Sequence, residues 1–314
     1  MKAPASSGSL RAPGLAEFGL LAALAFVWGS SFLFIKIAVS NGLSPLSLAT
    51  LRIAIGATLL LSLARGRGQV WPSGRAVWMR LVFLGLLGNP LPFFLIAWGE
   101  QFTTSQLAGI LMATIPLLVV ILAHILTEDE KLTGAKVGGV LLGFAGVVLL
   151  MGLDALKGLG SQVLGQAAIF LGCLCYSTYG VNTRKLPAMG SEMTVGIILT
   201  LGLVMILPFW LILDRPFASS WSAIVADQAW FSVLWLGLLS TAFGNWLFFS
   251  ILRRAGASFA STNNFLVPVM ALGWGFFGYD EVPGLNAMLA LALILVGLAL
   301  PKVAASRWIQ SRIG

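Results

Sequence analysis

The stretch that decides the fold runs from Gly85 to Glu130 and returns in a second version from Gly237 to Glu281. Each version starts with GLL, continues through an apolar segment, a short polar break and a second apolar segment with one proline, and ends in acidic residues. A repeat of about half the chain, built from membrane-type helices, is typical of secondary transporters. The identical pairs are Gly85/Gly237, Leu86/Leu238, Leu87/Leu239, Leu95/Leu247, Ala108/Ala260, Pro116/Pro268 and, after one gap, Asp129/Asp280, Glu130/Glu281 and Gly146/Gly297.

The composition of the chain excludes a soluble domain. Hydrophobic residues make up 58% of the sequence and charged residues 10%, with a mean hydropathy of +0.95, whereas soluble domains carry about 25% charged residues. Cys173 and Cys175 lie in an apolar segment and, one residue apart, point to different helix faces, so we expect no disulfide between them. We therefore expect an integral membrane protein.

Ten apolar stretches are long enough to cross a bilayer, which needs about 20 residues as a helix. One of them, 45–64, is interrupted by Arg52. The sequence therefore predicts an all-α membrane protein with ten transmembrane helices, five in each half. Spans 1 to 10 are predicted at 18–35, 45–64, 81–99, 101–127, 137–153, 158–183, 193–213, 228–252, 255–279 and 282–301.

The distribution of Lys and Arg predicts the orientation, because cytoplasmic loops carry an excess of both. With a cytoplasmic N-terminus, the outer loops hold two of these residues, Lys157 and Arg215, against fifteen on the inside. Both termini are predicted inside, and the net charge of +8 is read as a topology signal and not as a nucleic-acid site. The inner residues are Lys2, Arg11, Arg65, Arg67, Arg75, Arg80, Lys131, Lys136, Arg184, Lys185, Arg253, Arg254, Lys302, Arg307 and Arg312.

Five helices per half is an odd number, so the second half enters the membrane upside down. The first helices of the halves also correspond, since WGSSFLFIK at Trp28–Lys36 matches YSTYGVNTR at Tyr176–Arg184. We predict two inverted five-helix repeats, 17–156 and 157–303, around a central cavity, with cytoplasmic tails at 1–16 and 304–314. Inverted repeats suit alternating access around one central site.

These features resemble the drug/metabolite transporter superfamily, EamA type. The resemblance rests on WGSSF in span 1, Arg52 in span 2, and the alanine-rich span 4 with a central proline and an acidic turn, and it covers residues 18–301. Within that type the chain is similar to the YddG-type exporters of aromatic and other amino acids. The resemblance implies a cavity lined by spans 1, 3, 4, 6, 8 and 9, with spans 5 and 10 peripheral. The acidic turns, EDEKL and YDEVP, differ from the family's common glycine-glutamate form.

Four prolines inside the spans are candidate hinges, because proline removes a backbone donor and distorts a helix. Pro90 and Pro92 follow Asn89 in span 3, and Pro116 and Pro268 lie in spans 4 and 9. The alternative is a packing kink with no role in transport. We expect the hinge mainly in the first half and the ligand contacts mainly in the second, where the asparagines lie.

Neutral polar and aromatic side chains within the spans are the candidate substrate contacts, since polar groups in a membrane usually face protein or a watery cavity. Amides and hydroxyls suit a zwitterionic or neutral ligand, and Tyr and Trp combine an apolar ring with a polar tip. Serines and threonines also bridge helices, which is the alternative for each of them. The predicted substrate-binding residues are Trp28, Ser31, Asn89, Phe93, Tyr176, Tyr179, Asn245, Trp246 and Asn263.

The charged residues of the spans received a structural interpretation. Lys36 and Arg184 lie at helix ends from which they can reach the interface. Arg52 is deeper, and we favoured a role in capping helix carbonyls over binding a carboxylate. All acids, from Glu17 to Glu281, fall at loops or helix ends, so the sequence shows no buried carboxylate relay of the proton-pump kind. Two alternatives stay open: transport that runs down the substrate gradient, and transport coupled through groups that the sequence does not reveal.

The sequence shows no Walker loop, catalytic triad or metal-ligand spacing, so we expect neither an enzyme nor a cofactor or metal. Gly139-x-x-x-Gly143 predicts close helix packing within the chain more than a dimer, and we expect a monomer in contact with membrane lipid. The predicted function is export of a small-molecule substrate, an amino acid above all, across the bacterial inner membrane. The alternatives are an exporter of lipophilic cations, drugs or another small metabolite, which for cations would need an acid in the cavity, and a membrane enzyme or receptor.

Overall fold

Helices account for nearly all of the chain that the structure describes. The computed structural model describes residues 14–126, 133–151, 161–183, 185–187, 189–216, 227–260 and 263–313, and within them it contains no strand. The N-terminal tail to residue 13, the acidic pair Asp129 and Glu130, the boundary between the predicted halves at 156/157, Arg184, Ser261 and Thr262 lie outside the described residues.

The predicted spans correspond to helices in the structure. Among the described residues, seven helical stretches are long and apolar enough to cross a membrane, and three shorter apolar helices lie at Gly134–Gly146, Leu266–Gly278 and Leu285–Leu300. The chain is thus a multi-pass, all-helical membrane protein. Its helices are Leu15–Ser40, Pro45–Gly66, Arg75–Gly88, Pro90–Gly99, Ser105–Met112, Ile115–Leu126, Gly134–Met151, Ser161–Thr183, Ser191–Phe209, Asp227–Leu234, Gly244–Ala260, Asn263–Tyr279 and Leu285–Ile313, with π-helical stretches at Trp210–Asp214 and Trp235–Phe243.

Span 3 is two helices joined at Asn89. The residue before a proline is disfavoured in the α conformation, and Asn89 has φ −143° and ψ −71°. Pro90 then occupies the first position of the helix Pro90–Gly99, where its missing N–H costs little. Span 4 is divided in the same way, since Ser105–Met112 ends before the turn at Ala113 and Thr114, and Pro116 is the second residue of the next helix.

The sequence led us to expect the hinge mainly in the first half, but helices are distorted in both halves. Span 8 has a π-helical stretch at Trp235–Phe243, and this stretch includes Thr241, the repeat counterpart of Asn89. A π stretch needs no proline, because it arises from one extra residue per turn, and span 8 lacks the proline pair of span 3. Pro268, by contrast, lies inside a continuous helix, Asn263–Tyr279.

Helices of the two halves are interleaved. Span 1 packs against span 9 and span 4 against span 6; span 3 packs against spans 6 and 7, and span 8 against spans 1 and 2. Span 2 packs against span 7, and span 5 against span 10. If spans 1–5 are interchanged with spans 6–10, the contacts 2–7 and 5–10 map onto themselves and each of the others maps onto another contact of the same set. Glycines permit the closest approaches: a Cβ at Gly29 would lie 2.5 Å from Met270 Cβ.

Spans 5 and 10 meet through the glycine motif. A Cβ at Gly297 would lie 3.0 Å from the backbone N of Gly143 and would overlap the carbonyl O of Gly139. The predicted role of Gly139 and Gly143 in packing within the chain is therefore confirmed. Large apolar side chains, such as Phe277, Ile212 and Leu213, remain exposed on the outside of the bundle, where lipid would cover them.

Candidate functional site

Arg52 is the charged residue at the centre of the candidate site. Its side chain is buried, and its guanidinium carbon lies 3.8 Å from the centroid of the Phe93 ring, a cation–π contact. Its Nε donates to Thr241 Oγ1 at 3.2 Å, and within the described residues this is the hydrogen bond that the guanidinium makes. A guanidinium has five N–H donors, so its two terminal nitrogens are left with donors for a ligand. No ion pair involves Arg52 among the described residues.

Tyr176 and Phe93 form the aromatic wall beside Arg52. Their ring centroids are 6.5 Å apart in an edge-on arrangement, and Tyr176 packs against the same group of buried residues as Phe93. Phe93 is brought there by the break at Asn89, which sets the direction of the helix Pro90–Gly99. The second half of span 3 thus places an aromatic ring below a buried cation.

Span 8 connects two more of the predicted residues to this centre. Asn245 Nδ2 donates to the carbonyl O of Thr241 at 2.6 Å, and Trp28 Nε1 donates to the carbonyl O of Ser240 at 3.1 Å. Both acceptors belong to the π-helical stretch. We refer to Arg52, Phe93, Tyr176, Thr241, Asn245 and Trp28 as the Arg52 cluster.

The other five predicted residues make contacts of their own. Ser31 donates to Val27 O in its own helix, and Tyr179 packs on Gly88, where an added Cβ would lie 2.7 Å from the ring. Trp246 stacks on Phe243 with ring centroids 5.7 Å apart. Asn89 is buried at the break of span 3, and Asn263 is buried with no hydrogen-bond partner for Oδ1 among the described residues.

A cavity of about 700 Å³ lies apart from the predicted residues. It is at the outer end of the bundle, by which we mean the end that the charge bias predicts to face outside. Phe34, Asn41, Asp227, Phe231 and Gly278 are among its lining residues, and none of the nine predicted substrate contacts lines it. The aromatic residues around it were not recognised from the sequence, where Trp and Phe in a span look the same whether they face lipid or a cavity.

Two charged residues at the outer end are held by neighbouring helices. Lys36 Nζ donates to the carbonyl O of Glu100 at 2.7 Å and of Thr103 at 2.8 Å. Glu100 follows the last residue of span 3, yet it is fully buried. Glu100 thus lies at a helix end, where the sequence placed it, but this helix end is buried. The burial results from the close crossing of Gly99 and Gly165. A Cβ added at Gly99 would lie only 2.5 Å from the carbonyl O of Gly165, so the two glycines let span 6 cover this end of span 3.

The family of the chain follows from comparison with known proteins. The model of the EamA-like transporter family matches residues 16–152 and again residues 163–301. The chain belongs to the EamA-like transporter family. It is therefore a membrane transporter and not an enzyme, as the sequence predicted.

Relatives of this EamA-like transporter align with it over most of its length. The chain is 27% identical to an uncharacterized transporter, YoaV, of Bacillus subtilis over 293 residues, which cover 90% of this chain and 94% of the relative. It is 29% identical over 278 residues to a protein of Streptantibioticus cattleyicolor named a probable terminal-alkyne amino-acid exporter, covering 87% and 89% of the two chains. A solved crystal structure matches with a TM-score of 0.65 at 23% identity, over 94% of this chain and 100% of that one, and shares the fold.

Proposed function

We propose that this EamA-like transporter exports amino acids, aromatic and other neutral ones above all, across the bacterial inner membrane by alternating access. The observation that carries the proposal is Arg52, a buried cation with unused donors beside aromatic rings. The proposal reverses our structural interpretation of Arg52 and extends the similarity to YddG-type exporters from the sequence to a specific contact.

The Arg52 cluster supplies the groups that an amino-acid zwitterion needs. The terminal nitrogens of a guanidinium match the two oxygens of a carboxylate. Tyr176 and Phe93, whose rings are in contact, offer apolar faces to a side chain, and the amide oxygen of Asn245 offers an acceptor to the substrate ammonium. A lipophilic cation fits less well, because Arg52 would repel it.

The architecture that we propose for this cycle has ten spans in two inverted halves, 17–156 and 157–303, with both termini in the cytoplasm. The interleaved packing, in which exchanging the halves preserves the set of contacts, supports it, and so does the double match to the family model. The hinge prolines are Pro90, Pro92, Pro116 and Pro268. The carrier works as a monomer in contact with lipid, with a small molecule and no nucleic acid as its partner.

The experiment is counterflow in proteoliposomes with labelled phenylalanine, competed by the twenty amino acids and by phenethylamine, which lacks the carboxylate. We expect amino acids to compete and phenethylamine to fail. Arg52→Gln should lower the apparent affinity about 10- to 150-fold, the equivalent of a hydrogen bond to a charged group at about 1.5–3 kcal/mol. The exposed Arg65→Gln is the control and should change affinity less than twofold. Equal competition by phenethylamine, or an unchanged Arg52→Gln, would refute the proposal.

A further inference from the structure

Glu100 carries a buried carboxyl group that the transport site does not use. Its exposed fraction is 0%, and neither Oε1 nor Oε2 has a hydrogen-bond partner among the described residues. Buried polar groups are nearly always hydrogen-bonded, and an unpaired buried carboxylate costs several kcal/mol. A fully buried acid left in this condition calls for a physical explanation.

Two of the other unpartnered polar atoms belong to residues near Glu100 in the fold. Besides the two oxygens of Glu100, the buried side-chain atoms without a partner in the described part of the chain are Thr103 Oγ1, Gln166 Oε1 and Asn263 Oδ1. Thr103 is three residues beyond Glu100, and Gln166 follows Gly165, which packs on Gly99. Glu100, Thr103 and Gln166 are thus buried polar residues at the outer ends of spans 3, 4 and 6, whereas Asn263 begins a helix at the opposite end of the bundle.

Three charged residues influence the pKa of Glu100, and the side chain of each is hydrogen-bonded to groups other than the Glu100 carboxyl. Lys36, from span 1, donates to the backbone carbonyls of Glu100 and Thr103. Arg52, from span 2, donates to Thr241. Glu281, from the turn before span 10, accepts from the backbone N–H groups of Ser105 and Gln106. The two cations favour the carboxylate form of Glu100, whereas Glu281 opposes it.

Burial has the largest effect on the pKa of the Glu100 carboxyl group. It raises the pKa of the Glu100 carboxyl well above its ordinary value; Lys36 lowers the pKa, Glu281 raises it and Arg52 lowers it, each by less than burial does. Burial therefore favours the protonated form of Glu100. The lack of hydrogen-bond partners for both oxygens within the described residues agrees with this, because a buried carboxylate depends on such partners more than a neutral acid does.

We propose that Glu100 is a proton-binding residue of the transport cycle, protonated while the outer ends of spans 1, 3, 4 and 6 close around it and ionised when they open. The inference rests on the alternating-access cycle proposed above. On opening, the carboxyl group releases its proton to water, and the carboxylate gains hydration and the neighbouring ammonium of Lys36, which lies against the same residue's carbonyl. On closing, it takes the proton back.

Proton binding at Glu100 would link the outer end of the carrier to pH. In this cycle the proton leaves when the outer end opens and returns when it closes, so protonation favours the outer-closed state and ionisation favours the outer-open state. Glu100 would thus set the balance between the two states and would not by itself carry a proton across the membrane.

The protonation state can be observed directly by infrared spectroscopy of the full chain in lipid vesicles without substrate. The wild type should show the carbonyl stretch of a buried carboxylic acid at neutral pH, and Glu100→Gln should lose that band. Glu192→Gln is the matched control, because Glu192 is buried but paired with Arg67, and it should keep the band. Absence of the band in the wild type, or its persistence in Glu100→Gln, would overturn the proposal.

Gating is tested by thiol accessibility at Thr103→Cys in a background without Cys173 and Cys175. Its labelling rate, divided by that of Gln101→Cys at an exposed neighbouring position, corrects for thiol ionisation. In the wild type this ratio should rise with pH by up to tenfold per pH unit. In Glu100→Gln it should remain low at every pH, and in Glu100→Asp it should rise with its midpoint at a different pH. A ratio that ignores pH, or rises equally in Glu100→Gln, contradicts the proposal. Neither experiment uses a substrate, so its failure is separate from a failure of the amino-acid proposal.

Discussion

Glu281 and Ser105 connect the turn before span 10 to the start of span 4. The carboxylate of Glu281 accepts from the backbone N–H of Ser105 at 3.0 Å and from its hydroxyl at 2.7 Å. The first N–H groups of a helix have no partner within the helix, and its N-terminus carries partial positive charge. An acid from the second half of the chain therefore completes the N-terminus of a helix in the first half.

Replacing Glu281 should destabilise the protein. Glu281→Gln retains one acceptor but loses the charge at the helix N-terminus, so we expect the free energy of unfolding to fall by about 0.5–2 kcal/mol. Thermal unfolding in detergent measures the change. The neighbouring Asp280→Asn is the control, because Asp280 is exposed at φ 51°, a conformation that asparagine tolerates; equal losses in both variants would contradict the capping role.

The ring of Phe93 should matter through its contact with Arg52. Phe93→Leu keeps an apolar side chain but removes the cation–π contact, which is worth about 0.5–2 kcal/mol. We expect the apparent affinity for a carboxylate substrate in counterflow to fall about 2- to 30-fold, since 1.4 kcal/mol corresponds to a factor of ten. Phe94→Leu removes the adjacent, partly buried ring, which does not lie over a guanidinium. If both variants lose affinity alike, the guanidinium does not depend on Phe93.

The contact between spans 5 and 10 should be intolerant of one methyl group. A Cβ at Gly297 meets backbone of Gly139 and Gly143, and forcing extra volume into a packed interface costs about 1–3 kcal/mol. Gly297→Ala should therefore lower the thermal stability. Gly273→Ala should leave it unchanged or raise it by up to about 1 kcal/mol, because nothing lies within 4 Å of that added methyl and alanine favours helix.

Light scattering on the same Gly297→Ala sample distinguishes packing within the chain from packing between chains. We expect one mass, that of a monomer in its detergent micelle, for both the wild type and the variant. A change in mass with no change in stability would instead assign this glycine surface to a contact between copies.

Stability should depend on pH through Glu100. Because the folded-state pKa is raised, the folded protein binds a proton that the unfolded chain has lost above about pH 4.3. Stability is then fully present below that pH and falls by up to about 1.4 kcal/mol per pH unit until the folded-state pKa is reached. Thermal unfolding at pH values rising from about 5 should show the fall in the wild type and a flatter curve in Glu100→Gln. A slope that survives in Glu100→Gln belongs to another group.

Much of the fold was predictable because hydropathy and proline act locally. The helices lie where apolar stretches of the required length predicted them, and span 3 breaks at Asn89 because the residue before Pro90 is disfavoured in a helix. The role of Gly139 and Gly143 also followed from a short motif. The π-helical stretch of span 8 was missed, since no residue type in Trp235–Phe243 marks it.

The candidate site was harder to predict because it depends on which helices cross. Trp28, Phe93, Tyr176 and Asn245 were chosen by residue type and depth. Arg52 was assigned a structural role because the other half has no cation at the equivalent place, and its contacts with Phe93 and Thr241 could not be foreseen because both are distant in sequence. Glu100 looked solvated because it ends a span. Its burial follows from the crossing of Gly99 and Gly165, which no pattern within span 3 announces.

The interleaved packing also bears on how such a chain can arise and be divided. Span 2 contacts span 7, and span 5 contacts span 10, so each of these helices has its own repeat counterpart as its neighbour. A five-helix half made alone would present both surfaces without partners. It could satisfy them only with a second copy inserted in the opposite direction, so an ancestral half-length gene would have needed a product that enters the membrane both ways.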